Sequence, residues 1–123
     1  MVRPTTTLNM FRNTRDAVTF GPGQVIFAEG EPGDSMYVVV EGEVDISIGS
    51  RLVRTLGPGG VFGEMALVEH GPRSATATAR GVVRLVVIDE RRFHFLVQQT
   101  PFFALQIMRI MSERLRAEAG ARP

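Results

Sequence analysis

Residues 57 to 79 read GPGGVFGEMALVEHGPRSATATA, and this stretch decides how the rest of the chain is interpreted. Its glycine-rich beginning indicates a turn, and Phe62 to Leu67 is long enough for only one or two helical turns before a loop that ends at Gly71-Pro72. From Ser74 to Arg80 alanine alternates with hydroxyl residues, which predicts a strand packed closely on its alanine side. The stretch therefore predicts a turn, a short helix and a strand in immediate succession.

The same stretch concentrates groups that recognise a phosphorylated sugar. The start of the short helix offers unpaired backbone N–H groups and the positive end of a helix dipole, which favour an anion. Arg73 supplies a planar guanidinium whose shape matches a phosphate. Glu64 is an acceptor for sugar hydroxyls, while Ser74 and Ala75 add a hydroxyl and a side chain small enough for backbone N–H groups to approach. Together these residues predict an enclosed receptor for a phosphorylated sugar.

Short apolar runs separated by glycine and proline surround this stretch, at roughly ten-residue spacing, which is typical of a sandwich or barrel. The candidate strands are Val25–Phe27, Met36–Val40, Val44–Ile48, Leu52–Leu56, Ala75–Ala79 and Val82–Ile88. After them, Asp89 is the predicted N-cap of a helix that begins at Glu90 and ends at about Gln98. Thr100-Pro101 predicts the start of a last helix, which ends at Gly120.

These elements predict an α+β fold that is mainly β. It is an antiparallel, jelly-roll-like β-roll with a short N-terminal helix, a short helix within 62–76 and two C-terminal helices. A chain of 123 residues, 44% of them apolar, is sufficient for one domain with its own core. We therefore expect a single domain over 1–123, with an N-terminal helical segment at 1–17, the β-roll at 18–89 and the C-terminal helices at 90–119.

The composition argues against an enzyme or a metalloprotein. The chain has no cysteine, which excludes a disulfide framework, a thiol nucleophile and a cysteine metal site. A metal enzyme on a cupin-type barrel needs clustered histidines, but His70 and His94 lie far apart in the sequence. No histidine or acid is placed to activate Ser74 as a nucleophile. We expect no catalytic residues, no metal and no cofactor.

The charge balance argues against a nucleic acid or a membrane as the direct partner. The net charge is +1, and no apolar run approaches the ~20 residues that span a bilayer. No apolar stretch typical of a signal peptide follows the first residues, so we expect a soluble, cytoplasmic protein. A transcription factor needs a DNA-reading helix pair after the last helix. We expect none here, so any contact with DNA would come from a partner.

The stretch from Phe62 to Thr76 resembles the phosphate-binding cassette of cyclic nucleotide-binding domains. The cassette pattern is F-G-E-[LM]-A-L, a spacer and P-R-[AST]-A-T, and every position is filled. Gly23 to Phe27, Gly33-Asp34 and Gly42 to Val44 look like the glycine framework of the family's β-roll. The resemblance covers roughly residues 18 to 118. It is greatest to the bacterial branch with the sensor domains of potassium channels and of catabolite-activator-type regulators.

The resemblance implies roles for individual residues. Arg73 would pair with the cyclic phosphate, and Glu64 would accept a hydrogen bond from the ribose 2′-hydroxyl. The last helix would cover the base, with Arg114 stacking on the purine or hydrogen-bonding to it and with Met111 and Leu115 as apolar alternatives. The complete set of expected ligand-binding residues is Phe62, Gly63, Glu64, Met65, Ala66, Arg73, Ser74, Ala75, Met111 and Arg114.

The function that we expect is a regulatory sensor of a 3′,5′-cyclic purine nucleotide, which signals by movement of the C-terminal helices. Cyclic AMP is favoured, and cyclic GMP is the alternative because Ser74 could contact a guanine amino group. Phe93, Phe95 and Leu96 would couple the cassette to the last helix. The wide apolar arc of that helix indicates a protein partner or self-association. The competing hypothesis is a β-roll interaction domain that has lost nucleotide binding.

Overall fold

The computed structural model describes residues 17–120, whose strands form two antiparallel sheets. The strands are β1 (Val18–Phe20), β2 (Val25–Phe27), β3 (Ser35–Glu41), β4 (Val44–Ile48), β5 (Arg51–Leu56), β6 (Val61–Phe62), β7 (Thr76–Ala79) and β8 (Val83–Asp89). The helices are α1 (Met65–Glu69), α2 (Glu90–Gln99) and α3 (Phe102–Gly120). The strand order is β1-β8-β3-β6 in one sheet and β2-β7-β4-β5 in the other.

The predicted α+β, mainly β architecture is confirmed, and two strands are added to it. The strands β1 and β6 are not among the predicted runs because they are only three and two residues long. In addition, β6 is flanked by glycines that obscure any alternation. The helical segment predicted at 1–17 lies outside the described residues except for Ala17, which is neither helix nor strand.

The sheet β1-β8-β3-β6 is buried on both faces. One face packs on α2 and α3 through a helix-side cluster of Met36, Val38, Val61, Val86, Ile88, Leu96, Phe103, Ile107 and Ile110. The other face packs on the second sheet through an inter-sheet cluster of Val39, Val44, Phe62, Ala77, Ala79, Val83 and Leu85. This double burial explains why β3 and β8 read as nearly continuous apolar runs rather than as alternating ones.

Two of the three residues expected to couple the cassette to the last helix are packed against the core, and the coupling itself stays a prediction. The ring of Phe93 lies 5.6 Å from the ring of Phe103 on α3, and Leu96 is buried in the helix-side cluster. Phe95, in contrast, is 57% exposed and points away from this cluster. The helix turns by about 100° per residue, so Phe93 and Phe95 lie on opposite sides of α2.

Asp89 is confirmed as the N-cap of α2, because its Oδ1 accepts a hydrogen bond from the backbone N–H of Arg92 at 2.8 Å. Replacing Asp89 with alanine leaves that N–H without its acceptor and is expected to cost about 1 kcal/mol of the free energy of unfolding. Asp89→Asn retains the oxygen and is the control. Urea denaturation measures both variants, and equal losses for the two would contradict this role.

None of the helices within residues 17–120 is sufficiently long and apolar to cross a bilayer. In the same range, no three His, Asp or Glu side chains are grouped closely enough to hold a metal ion. Both histidines are exposed. His70 ends α1 in the left-handed conformation, and His94 lies on α2 with Nε2 3.8 Å from Glu90.

Candidate functional site

A cavity of about 180 Å³ lies between residues 62–76, which we call the cassette, the β4–β5 hairpin and α3. Polar groups converge on it from the cassette, whereas the hairpin contributes mainly apolar side chains. The residues that line the cavity are Phe27, Ile46, Ile48, Val53, Arg54, Leu56, Phe62, Gly63, Glu64, Met65, Ala66, Pro72, Arg73, Ser74, Ala75 and Arg114.

Glu64 lies immediately before α1 and is buried, with 6% of its surface exposed. Its carboxylate does not cap α1. Instead, Oε1 accepts a hydrogen bond from Nη1 of Arg114 on α3 at 2.6 Å. Nη2 of Arg114 donates to the backbone oxygen of Val61. A buried carboxylate requires such a partner, so the pair both neutralises Glu64 and joins α3 to the cassette.

The backbone of Arg73 is fixed by the loop between β2 and β3. Its N–H donates to the carbonyl oxygen of Glu31 at 2.8 Å, and its carbonyl oxygen accepts from the N–H of Gly30 at 2.8 Å. Pro32 and Pro72 form an isolated antiparallel bridge beside these bonds. The main chain of Arg73 is therefore held on both sides, next to the cavity that its side chain lines.

The guanidinium of Arg73 is buried between a carbonyl oxygen and two aromatic rings. Nη1 donates to the carbonyl oxygen of Gly63 at 3.2 Å. Cζ lies 4.1 Å from the ring centroid of Phe27 and 5.7 Å from that of Tyr37, within the range of cation–π attraction. Nε is buried and has no hydrogen-bond partner in the described part of the chain. A buried charged donor without an acceptor is unfavourable, so the hydrogen-bonding capacity of this guanidinium is not fully used within the described residues.

Two glycines make room for this guanidinium. A Cβ at Gly33 would lie 2.2 Å from Nε and 2.4 Å from Cζ of Arg73, which is closer than atoms can approach. A Cβ at Gly63 would lie 2.9 Å from Nη1, and Gly63 also has φ +77°, a conformation that favours glycine. A side chain at either position would therefore displace the Arg73 guanidinium, and at Gly63 it would also strain the backbone.

The opposite wall of the cavity is provided by the β4–β5 hairpin. Ile46 and Ile48 from β4 and Val53 and Leu56 from β5 form an apolar surface there, with Arg54 beside them. The alternation in Val44–Ile48 predicts that Val44, Ile46 and Ile48 share one buried face of β4. Val44 is buried as predicted, whereas Ile48, at the end of the strand, is 42% exposed. The cavity thus has a charged side and an apolar side, which suits a ligand with an anionic group and an apolar ring.

The structure brings nine of the ten predicted ligand-binding residues to this cavity. Those that line it are Phe62, Gly63, Glu64, Met65, Ala66, Arg73, Ser74, Ala75 and Arg114. Met111 is not part of the cavity wall and packs against the helix-side cluster instead. Leu115, the other apolar alternative on the last helix, is 67% exposed and also lies outside the wall.

Several residues at the site were not assigned a role from the sequence. Phe27 and Tyr37 support the Arg73 guanidinium, and Gly33 accommodates it. The glycine framework that includes Gly33 is visible in the sequence, but its contact with Arg73 depends on the fold. The apolar wall of the hairpin could have been found from the alternation of β4, since Ile46 and Ile48 share one face.

The sequence was compared with models of known protein families and with curated proteins. The family model described as "Cyclic nucleotide-binding domain" matches residues 17–100. The CRP-like cAMP-activated global transcriptional regulator of Mycobacterium tuberculosis is 36% identical over 106 residues, covering 80% of this chain and 46% of the regulator. A cyclic nucleotide-gated potassium channel of Mesorhizobium japonicum is 41% identical over 105 residues, covering 85% of this chain and 29% of the channel. The chain spans less than half the length of these curated relatives.

Solved structures show the same architecture. The catabolite activator protein of Thermus thermophilus superposes with a TM-score of 0.79 at 27% sequence identity. The superposition covers 97% of this chain and 57% of that protein. The structural similarity therefore extends beyond the residues that the family model matches and includes the C-terminal helices.

Proposed function

Because the chain belongs to the cyclic nucleotide-binding domain family, we propose that it is a regulatory sensor that binds a 3′,5′-cyclic purine nucleotide, cAMP in preference to cGMP. The observation that carries this proposal is the guanidinium of Arg73, a buried cation that lines the cavity and whose Nε has no hydrogen-bond acceptor among the described residues. A similar regulator from Mycobacterium tuberculosis is described as cAMP-activated, which favours cAMP.

In this proposal Arg73 balances the single negative charge of the cyclic phosphate. A guanidinium that is already buried loses little further hydration when the phosphate enters, and the new charged hydrogen bonds are stronger than neutral ones. Ser74 and Ala75 lie next to Arg73 in the wall, where their backbone N–H groups and the Ser74 hydroxyl complete the phosphate site. Gly63, Met65 and Ala66 close the other side of the cassette.

The ribose and the purine base of the ligand contact the remaining walls of the cavity. Glu64 accepts the ribose 2′-hydroxyl, because its carboxylate is the acidic group of the cassette wall. The purine ring lies against the apolar surface of the β4–β5 hairpin, where burial of a flat ring is favourable. In this arrangement charged and polar groups contact the phosphate and the ribose, whereas the base meets mainly apolar side chains. Ser74 and Arg114 are therefore the groups that can discriminate adenine from guanine.

Signalling in this proposal passes through α3 to a protein partner or a second copy of the chain. The ligand favours the state in which α3 covers the base, and only a difference in affinity between two states can shift their balance. Leu105, Met108 and Leu115 expose apolar surface on α3, at 39%, 57% and 67%. Such a surface on a helix that responds to ligand is suited to transmit the change to a partner.

Isothermal titration calorimetry of the nucleotide-free protein tests the proposal. We expect micromolar or tighter binding of cAMP, weaker binding of cGMP, and weaker binding again of 5′-AMP, whose phosphate is open and more highly charged. Circular dichroism shows that the sample is folded. A folded protein that releases no heat with either cyclic nucleotide would instead support an interaction domain without nucleotide binding.

A further inference from the structure

The end of the β4–β5 hairpin projects beyond the strand next to it. The pairing of β4 with β7 ends at Ser47 and Thr76. Beyond that point, within the described part of the chain, residues 48–51 form strand pairs only with one another, and we call them the hairpin end. Ile48 belongs to the hairpin end and is one of the apolar side chains that line the cavity. The position of part of the apolar wall therefore depends on what holds the hairpin end.

A β-bulge lies where the hairpin end begins. The strand register shifts between Ile46 and Ser47, where β5 contains one additional residue, Val53. A bulge of this kind bends the strand and interrupts the regular alternation of its side chains. Val53 also lines the cavity. A rotation of the hairpin end about the bulge would thus move Val53 and Ile48 relative to the site proposed for the phosphate.

Glu29, in the loop between β2 and β3, holds the hairpin end. Its Oε1 accepts a hydrogen bond from the backbone N–H of Gly49, in the turn of the hairpin, at 3.1 Å. The backbone N–H of Glu29 in turn donates to Oγ1 of Thr76 at 3.0 Å. Thr76 is the last residue of the P-R-S-A-T segment, yet it is not part of the cavity wall. Its hydroxyl therefore supports the loop that carries Glu29.

The same loop holds the main chain of Arg73. The N–H of Gly30 donates to the carbonyl oxygen of Arg73, whose own N–H donates to the carbonyl oxygen of Glu31. Residues 29–31 are thus bonded to the hairpin turn, to the end of the cassette and to the arginine of the proposed phosphate site. One short loop therefore sets the distance between that arginine and the apolar wall.

We propose that Glu29 is a positioning residue for the purine base, because it holds the apolar wall at a fixed distance from the phosphate site. This inference rests on the proposed nucleotide binding. Glu29 acts through Gly49 and does not contact the ligand itself. While the carboxylate holds the turn, one rigid ligand can contact Arg73 with its phosphate and Ile48 and Val53 with its base. Without the carboxylate the hairpin end moves about the bulge, and the contact with the base weakens while the phosphate site is retained.

The first test compares the affinities for cAMP and for ribose 3′,5′-cyclic phosphate, which has no base, in titrations followed by nuclear magnetic resonance. We expect Glu29→Ala to weaken cAMP binding by about threefold to tenfold, the effect of losing one exposed hydrogen bond. The affinity for the base-free ligand should not change. Removal of a negative charge by itself would act in the opposite direction, because it favours an anionic ligand.

Two further variants are the controls for this test. Glu29→Gln keeps an oxygen acceptor at Oε1 and removes the charge, so it should bind both ligands at least as tightly as the wild type does. Glu43→Ala removes an exposed carboxylate next to the opposite end of β4 and should leave the affinity for cAMP unchanged. Thermal unfolding shows whether each variant is folded before titration.

The role of Thr76 is tested by a double-mutant cycle. Thr76→Val removes the hydroxyl that accepts from Glu29 and keeps the branched side chain, so it should weaken cAMP binding in the same direction as Glu29→Ala. The two losses should add to less than their sum in the double variant, because both act through one loop. Thr78→Val changes the same group two residues later on the same face of β7 and is the control.

The second test needs no ligand. Because the sequence has no cysteine, spin labels can be placed at Thr19→Cys on β1 and at Ser50→Cys in the hairpin turn, both of which are exposed. Pulsed electron paramagnetic resonance then gives the distribution of distances between the two labels. We expect a narrow distribution in the otherwise unchanged chain and with Glu29→Gln, and a broader one with Glu29→Ala.

The outcomes separate this inference from the proposed function. If Glu29→Ala weakens cAMP and the base-free ligand equally, Glu29 supports the whole site rather than the base, and the inference is refuted while the sensor function stands. The same conclusion follows if Glu29→Ala binds cAMP as the wild type does, or if the distance distribution does not broaden. If the wild type binds neither cAMP nor cGMP, the sensor function fails, and a role of Glu29 in positioning a base fails with it.

Discussion

Replacing Arg73 with alanine is expected to weaken cAMP binding by about tenfold to a hundredfold or more, since a charged hydrogen bond contributes ~1.5–3 kcal/mol. The guanidinium is the buried cation at the cavity that lacks an acceptor for one of its nitrogens. Its removal also takes away the contact with the ring of Phe27, so some stability is lost as well. Calorimetry at a temperature at which the variant is folded separates the two effects.

Gly33→Ala should reproduce most of this loss while every charged group of the site is retained. The added Cβ would lie 2.2 Å from Nε of Arg73, so the guanidinium must leave its position over Phe27. Gly33 does not have a positive φ, so alanine introduces no backbone strain there. Gly71→Ala is the matched control, because a Cβ at Gly71 meets nothing within 4 Å.

The pair of glycine variants also tests whether position or charge alone matters at Arg73. If Gly33→Ala binds cAMP as tightly as Gly71→Ala does, the exact placement of the guanidinium is unimportant and the phosphate is held elsewhere. If Arg73→Ala itself retains wild-type affinity, the proposed phosphate site is wrong.

Phe103→Ala should produce the largest loss of stability. Phe103 is fully buried, contacts Phe93 and belongs to the helix-side cluster that fixes α2 and α3 on the sheet. Truncating a buried phenylalanine costs about 3–5 kcal/mol, through lost burial and the cavity left behind. We expect a decrease in Tm of roughly 10–20 °C, measured by differential scanning calorimetry.

Phe95→Ala on the neighbouring helix is the control for this prediction. Phe95 is 57% exposed, so the same truncation should change the free energy of unfolding by no more than about 0.5 kcal/mol. Similar decreases in Tm for the two variants would mean that α2 and α3 are not anchored through Phe103.

Most of the cassette could be predicted from the sequence because its chemistry is local. Glu64, Arg73 and Ser74 lie in one short segment, and the glycines and prolines around them specify the turns. The cap of α2 at Asp89 is local for the same reason. The α+β architecture could be predicted from the spacing of the apolar runs. That spacing can be observed in the sequence without knowledge of any contact between distant residues.

What could not be predicted depends on contacts between distant segments. The pairing of Glu64 with Arg114 joins residues 50 positions apart. The contact between Phe27 and Arg73 joins the end of β2 to the loop that precedes β7. The rotation of α3 about its axis is a further example. Apolar residues occur on several of its faces, so only packing on the sheet decides that Met111 faces the core and Arg114 faces the cavity.

The close approach of Gly33 to Arg73 has a consequence for how related sequences are interpreted. A sequence could retain every letter of the F-G-E and P-R-S-A-T segments and still hold its arginine in a different position, if a side chain stood at the position of Gly33. Such a protein would keep its fold, because the rest of the cassette and both clusters are independent of that Cβ. The residue at this one position, some forty residues before the arginine that it affects, therefore has to be compared along with the two motif segments when the anion site of a related sequence is assessed.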